Sequence, residues 1–373
     1  MSLKSSDAVR LSRVAIDARL VGGTFTGDST YWLGLLQGLA SRADDAEILL
    51  VGNADRPEGL PWRPGFSWLK VDGRNPRWWS LVRFPLAVRR WGAQVAHVQY
   101  TVSPLLGRSV ATTIHDISFA LHPEWFRFSD RAILNLMVPL AIRRASRMLT
   151  VSQTSAREIE TRYPRAKGRV RVTPLALNPK IRPVEPTEAE SRVRAKFGIG
   201  GPYILTVGTS WPRKNMALAV AACEALPPTV PHRLVVVGKS GWGAELEGSR
   251  VLRTGYVDDD DLAALYSAAD LYLSPSRHEG FGLTLLEAFA CGAPVICGPG
   301  GALPETAGGA ALVIPDYEVG TWSEAIEGLL GNSSKLREMR ERGRRRVLDF
   351  SWESMAERTF AAYEEVWHET RFR

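Results

Sequence analysis

The segment from Leu271 to Gly300, LYLSPSRHEGFGLTLLEAFACGAPVICGPG, decides how the chain is built. Leu271 to Ser276 reads as a short buried strand, and Gly280 and Gly282 permit a tight turn with close backbone approach. Leu283 to Ala290 reads as a helix, with Gly292 suited to its exit. The next strand follows at PVICGPG. Strand, glycine turn, helix and strand form the repeating unit of a parallel α/β sheet.

The same rhythm runs outward in both directions. RVAIDAR, EILLVG, VAHVQY, SVATTIHD and RMLTVS precede it in the first half, and YILTVG, RLVVVG, VLRTGYV and LYLSPS recur in the second. Continuous apolar runs are what parallel strands buried on both faces require, with the intervening helices as crossovers. The prediction is an α/β protein of two Rossmann-like lobes facing across a cleft. A chain of 373 residues also exceeds the roughly 250–300 at which one core stops growing.

Residues 1–180 are assigned to the first lobe, 181–200 to a linker and 201–350 to the second lobe. The linker lies in NPKIRPVEPTEAESRVRAKFGIGGP, rich in proline, poor in large apolar residues and running into a short helix. Residues 351–373 read as a terminal helix with Ser351 as N-cap and Met355, Phe360, Tyr363, Val366 and Trp367 near helical spacing. Such a helix must pack on something, and a return to the first lobe is one candidate.

Hydrophobic residues make up 45% and charged residues 23% of the chain, as in ordinary soluble proteins. The start has no apolar leader and no run reaches the roughly 18 residues of a membrane span, so a cytoplasmic protein is expected. Three cysteines without a CxxC pair point to a reduced compartment and no zinc site. The net charge of +7 admits nucleic acid, an anionic membrane or a phosphorylated substrate. RRWG and RGRRR read as solvated helix faces, and no recognition-helix or zinc-finger spacing occurs, so nucleic acid is not expected.

The quoted segment keeps two acids, Glu279 and Glu287, among apolar residues. The turn Gly280, Phe281, Gly282 leads into a helix whose first N–H groups, around Leu283 and Thr284, offer a partial positive charge to an anion. Glu287, just over a turn in, leans back toward the same spot. A carboxylate beside a phosphate is repulsive, so Glu287 makes sense if it accepts hydrogen bonds from neutral hydroxyls of the same ligand, such as those of a ribose. Glu279 would face the ligand's other end. The alternative is a buried acid satisfied by backbone and an exposed turn residue.

The pattern E-G-F-G-L-x-x-L-E-A from Glu279 to Ala288, followed by CGAPVI and GGALPE, resembles the E-x7-E signature of family-4 retaining glycosyltransferases, whose two-lobed fold is called GT-B. The resemblance spans nearly the whole chain, from VAIDARL through TIHD, VSQTSAREI, VGTSWPRKN and GYVDDDDLAALYSAADLYLSPS to the FSWE helix. It implies that Glu287 holds the nucleotide ribose, that Glu279 lies by the donor sugar and that the amides after the glycines face the diphosphate. It also implies retention of anomeric configuration.

Further positions take their meaning from that resemblance. Arg213 and Lys214 follow a strand directly and match the family's basic pair, which would stabilise the leaving diphosphate; taken alone they would be ordinary solvated loop residues. Thr209 stands where many members carry a third cation. His115 and Asp116 end a strand, where a satisfied histidine and a turn cap are the plain reading; the resemblance places His115 against the donor sugar. Gly27 falls in the glycine-rich loop GGTFTGDSTYWLGLL, which in the family touches diphosphate or acceptor, although Asp28 or Ser29 as an N-cap explains the local sequence equally well.

VDDDDL contains an Asp-x-Asp pattern that binds divalent cations in other sugar transferases. It precedes the amphipathic stretch LAALYSAAD, so capping suffices and no metal is expected. RWWSLVRFPLAVRRWG, residues 77–92, is either the apolar face of a lobe helix or a membrane-surface helix.

The expected activity is metal-independent hexosyl transfer without a cofactor, from a nucleotide-sugar donor to a glycan or lipid-linked acceptor, with peripheral contact at the inner face of an anionic membrane. TIHDISFALHPEWF resembles bacterial mannosyltransferases of surface polysaccharide synthesis, which favours GDP-mannose. UDP- and dTDP-linked donors, a non-catalytic nucleotide-sugar-binding subunit, and a relative that epimerises or hydrolyses the donor are the alternatives.

Overall fold

The computed structural model describes residues 10–21, 27–42, 45–73, 75–243 and 246–371. The first sheet holds β1 (Arg13–Asp17), β2 (Glu47–Gly52), β3 (Phe66–Lys70), β4 (Val95–Gln99), β5 (Val110–Thr113), β6 (Arg147–Thr150) and β7 (Val170–Val172). The second holds β8 (Tyr203–Val207), β9 (Arg233–Val237), β10 (Val251–Gly255), β11 (Leu271–Ser274), β12 (Val295–Cys297) and β13 (Leu312–Val313). Their orders are β3-β2-β1-β4-β5-β6-β7 and β10-β9-β8-β11-β12-β13, parallel throughout. This is the doubly wound arrangement expected from the apolar rhythm, made twice.

Central strands are buried on both faces, which is why they read as unbroken apolar runs: β5 and β11 are buried at every position. The strands without such a run, β3, β7 and β13, lie at sheet edges and are largely half-buried or exposed. In both sheets the winding direction reverses at one place, between β1 and β4 and between β8 and β11. Loops at the carboxyl ends of strands diverge there and leave a crevice.

In the segment assigned as linker, a helix runs over Pro186–Phe197, and its Arg192 and Lys196 pair with Asp261. Asp261 belongs to the helix Asp259–Ser267, whose N-cap is the Asp258 side chain bonded to the Asp261 amide at 2.9 Å. Asp258, within VDDDDL, is therefore a capping group. Of residues 77–92, Trp79, Phe84, Ala87 and Val88 are core, with Trp79 and Phe84 stacked at 5.4 Å, whereas Trp78 and Leu86 are exposed.

The terminal helix Trp352–Thr370 is capped by Ser351 and does return to the first lobe. It crosses the helix Gly27–Ala40 so closely that a Cβ at Gly38 would sit 2.0 Å from the Trp352 carbonyl oxygen, and one at Gly34 would sit 2.3 Å from the Trp352 ring. The Trp352 indole donates to the Leu177 carbonyl at 2.9 Å. Farther along, Glu365 receives Arg147 of β6 and Arg171 of β7, each at 2.6 Å. The chain's last element thus straps the lobe that its first residues began.

The lobes also touch directly. Glu305 of the second lobe accepts hydrogen bonds from the Gln153 and Thr154 amides at 2.7 and 2.8 Å, capping the helix Gln153–Arg162 of the first. From the same helix, Glu158 meets His278 at 3.0 Å and the Ser155 hydroxyl donates to the Gly280 carbonyl at 3.3 Å.

Trp352→Ala is expected to cost about 3–5 kcal/mol, the usual loss for deleting a buried aromatic, measured by equilibrium urea unfolding. A cost below about 1 kcal/mol would show that the strap does not hold the first lobe.

Candidate functional site

The site is built from loops at the two switch points. After β8 the chain passes through Gly208 into a single helical turn, Pro212–Lys214, which carries the two predicted cations. After β11 it enters the turn with Glu279. These meet: Lys214 Nζ lies 2.6 Å from Glu279 Oε1, and Arg213 Nη1 lies 2.8 Å from Oε2. The Ser276 hydroxyl donates to Oε1 at 2.7 Å. Burial would push the Glu279 carboxyl upward, but Lys214 and Arg213 outweigh it and hold the group well below the usual carboxylate range. For Lys214 burial prevails, and its ammonium is lowered from the ordinary value despite Glu279.

The glycines position this cluster by close approach. Gly282 has φ of +101°, a conformation that suits glycine, and is followed at once by the helix Leu283–Ala290. A Cβ on Gly280 would stand 3.0 Å from Asp116 Oδ2 and 3.2 Å from the His115 carbonyl, so the second lobe's turn abuts the first lobe's strand end. Beneath it, the Glu279 carbonyl accepts the Ala302 amide at 2.8 Å, which explains the pairing of this turn with GGALPE. Phe281 is buried against Phe350, with ring centroids 5.4 Å apart. Leu283 and Thr284, in the helix's first turn, are half-buried.

Glu287 behaves differently from Glu279. Burial raises its carboxyl from 4.5 to about 7, although it accepts the Tyr266 hydroxyl at 3.1 Å. Lys214 and Asp259 are the charges that act on it, with opposite sign. The two acids are therefore in opposite states of compensation: Glu279 is locked to two cations, whereas Glu287 is half-buried and accepts the Tyr266 hydroxyl.

Across the cleft, Asp116 accepts the Ser118 amide and hydroxyl at 2.8 and 2.6 Å. Burial works against its charge, but His278 and Arg213 overcome that and lower its carboxyl. His115 contacts Gln99 at 3.0 Å and stacks edge-on with Tyr31, centroids 4.8 Å apart. Behind it runs a buried polar chain: Tyr31 to Thr113, Thr113 to His97 and His97 to Tyr363 of the terminal helix, at 2.7, 2.7 and 2.6 Å. Burial depresses His97 to about 3, which keeps it neutral.

The structure thus brings together Arg213, Lys214, Glu279, Gly280, Asp116 and His115, with Glu287 and the helix beginning at Leu283 alongside. Gly27 opens the helix that carries Tyr31, but residues 22–26 of its loop and the Asp28 side chain lie outside what the structure describes. Thr209 is half-buried beside the cation-bearing turn. Sequence reasoning missed His278, Tyr266, Ser276 and Gln99. His278 immediately precedes Glu279 and could have been noticed, whereas Tyr266 sits in an apolar helix with nothing to mark it.

Two family descriptions match the chain: "Glycosyltransferase Family 4" over residues 25–180 and "Glycosyl transferases group 1" over residues 189–346. An O-antigen chain mannosyltransferase B from Escherichia coli is 30% identical over 365 residues, covering 91% of this chain and 96% of the relative. An MMP alpha-(1->4)-mannosyltransferase from Mycolicibacterium hassiacum is 32% identical over 255 residues, 65% of this chain and 58% of the relative. Among solved structures, sucrose-phosphate synthase from Thermosynechococcus elongatus superposes with a TM-score of 0.72 at 21% identity, covering 96% of this chain and 100% of that one. WaaG, a glycosyltransferase involved in lipopolysaccharide biosynthesis, gives 0.70 at 18% identity, with 94% and 98% covered. With the twofold Rossmann-like architecture and the paired acids in place, the chain belongs to the family-4 glycosyltransferases of GT-B fold.

Proposed function

We propose that the protein is a retaining, metal-independent mannosyltransferase that moves mannose from GDP-mannose to a glycan or lipid-linked acceptor in surface polysaccharide or glycolipid synthesis. The observation that carries this reading is the convergence of Arg213, Lys214 and the first turn of the helix Leu283–Ala290 on one crevice, opposite His115 and Asp116. Mannose is favoured by the mannosyltransferase names of several relatives. UDP- and dTDP-sugars are the competing donors.

In this mechanism the diphosphate lies at the amides around Leu283 and Thr284, after Gly280, Phe281 and Gly282, and Glu287 accepts the ribose hydroxyls. The cations Arg213 and Lys214 carry one more charge than Glu279 cancels, and that surplus stabilises the leaving diphosphate. Both Glu279 oxygens are engaged by cations and Ser276, which makes it a poor nucleophile. A front-face path follows: the sugar–phosphate bond breaks through an oxocarbenium-like state, and the leaving phosphate takes the proton of the acceptor hydroxyl that attacks from the same side. His115 and Glu279 orient the sugar's hydroxyls, Asp116 supports the donor side, and Gly27 opens the helix at the acceptor side. Division into an acceptor lobe (1–180), a linker (181–200), a donor lobe (201–350) and a strapping helix (351–373) belongs to the same proposal.

Among the described residues no helix is long and apolar enough to cross a membrane. Peripheral contact with the inner face of an anionic membrane belongs to the same proposal and is supported by the net charge of +7.

Thermal melts with GDP, UDP, ADP and dTDP, with and without Mg²⁺, are the direct test. A nucleotide at 100 times its dissociation constant stabilises by about 2.7 kcal/mol. GDP is expected to act selectively and without metal, and no shift with any nucleotide would defeat the donor assignment.

Lys214→Ala is expected to lower kcat about 10²–10³-fold, the scale of losing one preorganised group at a developing charge, with the fold retained because Arg213 still pairs Glu279. Wild-type turnover in a folded variant would remove Lys214 from the mechanism.

Glu287 predicts a pH dependence with a definite sign. The folded state holds its proton more tightly than an unfolded carboxyl, so ligand-free stability falls as pH rises from about 4.5 through about 7. Nucleotide affinity rises over the same window as the carboxylate forms. Glu287→Gln should flatten both slopes, which urea melts and titration calorimetry across pH would reveal.

A further inference from the structure

A cavity of about 440 Å³ opens between the lobes beside the cation cluster. That is within the roughly 300–1,000 Å³ of small-molecule sites. Its walls include Glu124 and Trp125 from the first lobe and Trp211, Asn215, Trp242 and Arg277 from the second. None of these six was assigned a role in donor binding or transfer above.

Its lining is rich in tryptophan. Trp211 and Trp242 stack with centroids 5.4 Å apart and 28° between planes, yet Trp242 remains 40% exposed. Arg127 of the first lobe lies 4.9 Å over the Trp242 ring, and Trp125 stacks on His122 at 4.0 Å. Arg213 lies 5.4 Å over the Trp211 ring, so the three indoles, already stacked on neighbours, border the cavity together with Glu124, Asn215 and Arg277. Asn215, held at φ of +50°, has a buried side-chain amide nitrogen without a hydrogen-bond partner. A buried donor left unpaired is costly, and a ligand hydroxyl or a water would satisfy it.

This lining matches the chemistry of a pyranose. Such a ring has an apolar C–H face suited to an indole and a rim of hydroxyls suited to the polar groups. An acyl chain would leave the polar edge unmet. A nucleotide base could stack here, but the fold separates this space from the proposed ribose site. Met216 and Leu246, which line the cavity, belong to the core layer on one face of the second sheet. Tyr266, which bonds Glu287, belongs to the layer on the other face. Arg213 and Lys214 directly follow Trp211 and Pro212 in the chain. The Arg277 amide donates to the Arg213 carbonyl at 2.7 Å, tying the cavity's edge to the cluster.

We propose that this cavity is a saccharide subsite that holds a pyranose unit of the acceptor glycan, gripped by Trp125 of one lobe and Trp211 and Trp242 of the other. The assignment rests on the transferase reading above. Because both lobes supply walls, an acceptor seated here favours the closed cleft, and acceptor binding and lobe closure are coupled.

The test uses the full chain and the variants Trp242→Ala and Trp242→Phe, since Trp242 is half exposed and outside the catalytic cluster. Binding of α-linked mannobiose and mannotriose, with maltotriose and cellotriose as controls, is followed by intrinsic tryptophan fluorescence, and GDP binding by thermal shift. The expected result is a saccharide-induced fluorescence change in the wild type, at least tenfold weaker affinity in Trp242→Ala, partial recovery in Trp242→Phe and an unchanged nucleotide shift in both. Equal weakening of GDP binding would make the cavity a base pocket and overturn the proposal. So would the absence of any saccharide response in the wild type, or undiminished saccharide affinity in Trp242→Ala. A missing GDP shift in the wild type with saccharide binding intact would sink the donor assignment instead, so the two failures are distinguishable.

Discussion

The interaction on which the site depends is the bridge from Glu279 to Arg213 and Lys214. A charge removed from water is tolerated only when paired and hydrogen-bonded, and here one carboxylate satisfies two cations from a different loop while accepting the Ser276 hydroxyl. That requirement ties the turn after β11 to the turn after β8 across the sheet's switch point. It also holds both cations at the crevice between the lobes, where Arg213 interacts with Asp116 of the first lobe as well. Removing the carboxylate would leave two half-buried cations without it, so this pairing holds the two loops together.

A second constraint is the narrowness of the gap between lobes. Gly280 leaves little room for even a Cβ beside Asp116, Glu305 caps the helix Gln153–Arg162, and Glu158 meets His278. For His278, burial opposes charge, but Glu158 and Asp116 raise its imidazole above the ordinary value. These contacts keep His115 and Asp116 against the second lobe's turn. The terminal helix contributes from behind, because Tyr363 ends the buried chain that runs through His97 and Thr113 to Tyr31, the ring against His115. A strap that restores the first lobe's core thus also fixes a cleft histidine.

Much of this was legible in the chain. Central strands such as β5 and β11 announced themselves because burial on both faces demands apolar residues at every position. The edge strands β3, β7 and β13 did not, because one exposed side relaxes that demand. Glu279, Glu287 and the glycines were recognisable together, since acids at that spacing around a glycine turn are hard to explain as packing. Arg213, Lys214 and His115 took their meaning only from family resemblance. His278 and Glu158, 120 positions apart, form a pair that no local pattern could suggest.

Local periodicity, turn chemistry and spacing determined the α/β class, the twofold architecture, the capped terminal helix and the paired acids, because each is written within a few residues of itself. Tertiary structure alone decided where that helix lands, since its apolar stripe suits any complementary groove and only the glycine face of the helix Gly27–Ala40 admits Trp352. It also decided the opposite fates of the two acids. Glu279 and Glu287 are alike in sequence, but one pairs with two cations and the other, partly withdrawn from water, accepts a tyrosine hydroxyl, and ionisation follows from those distant neighbours.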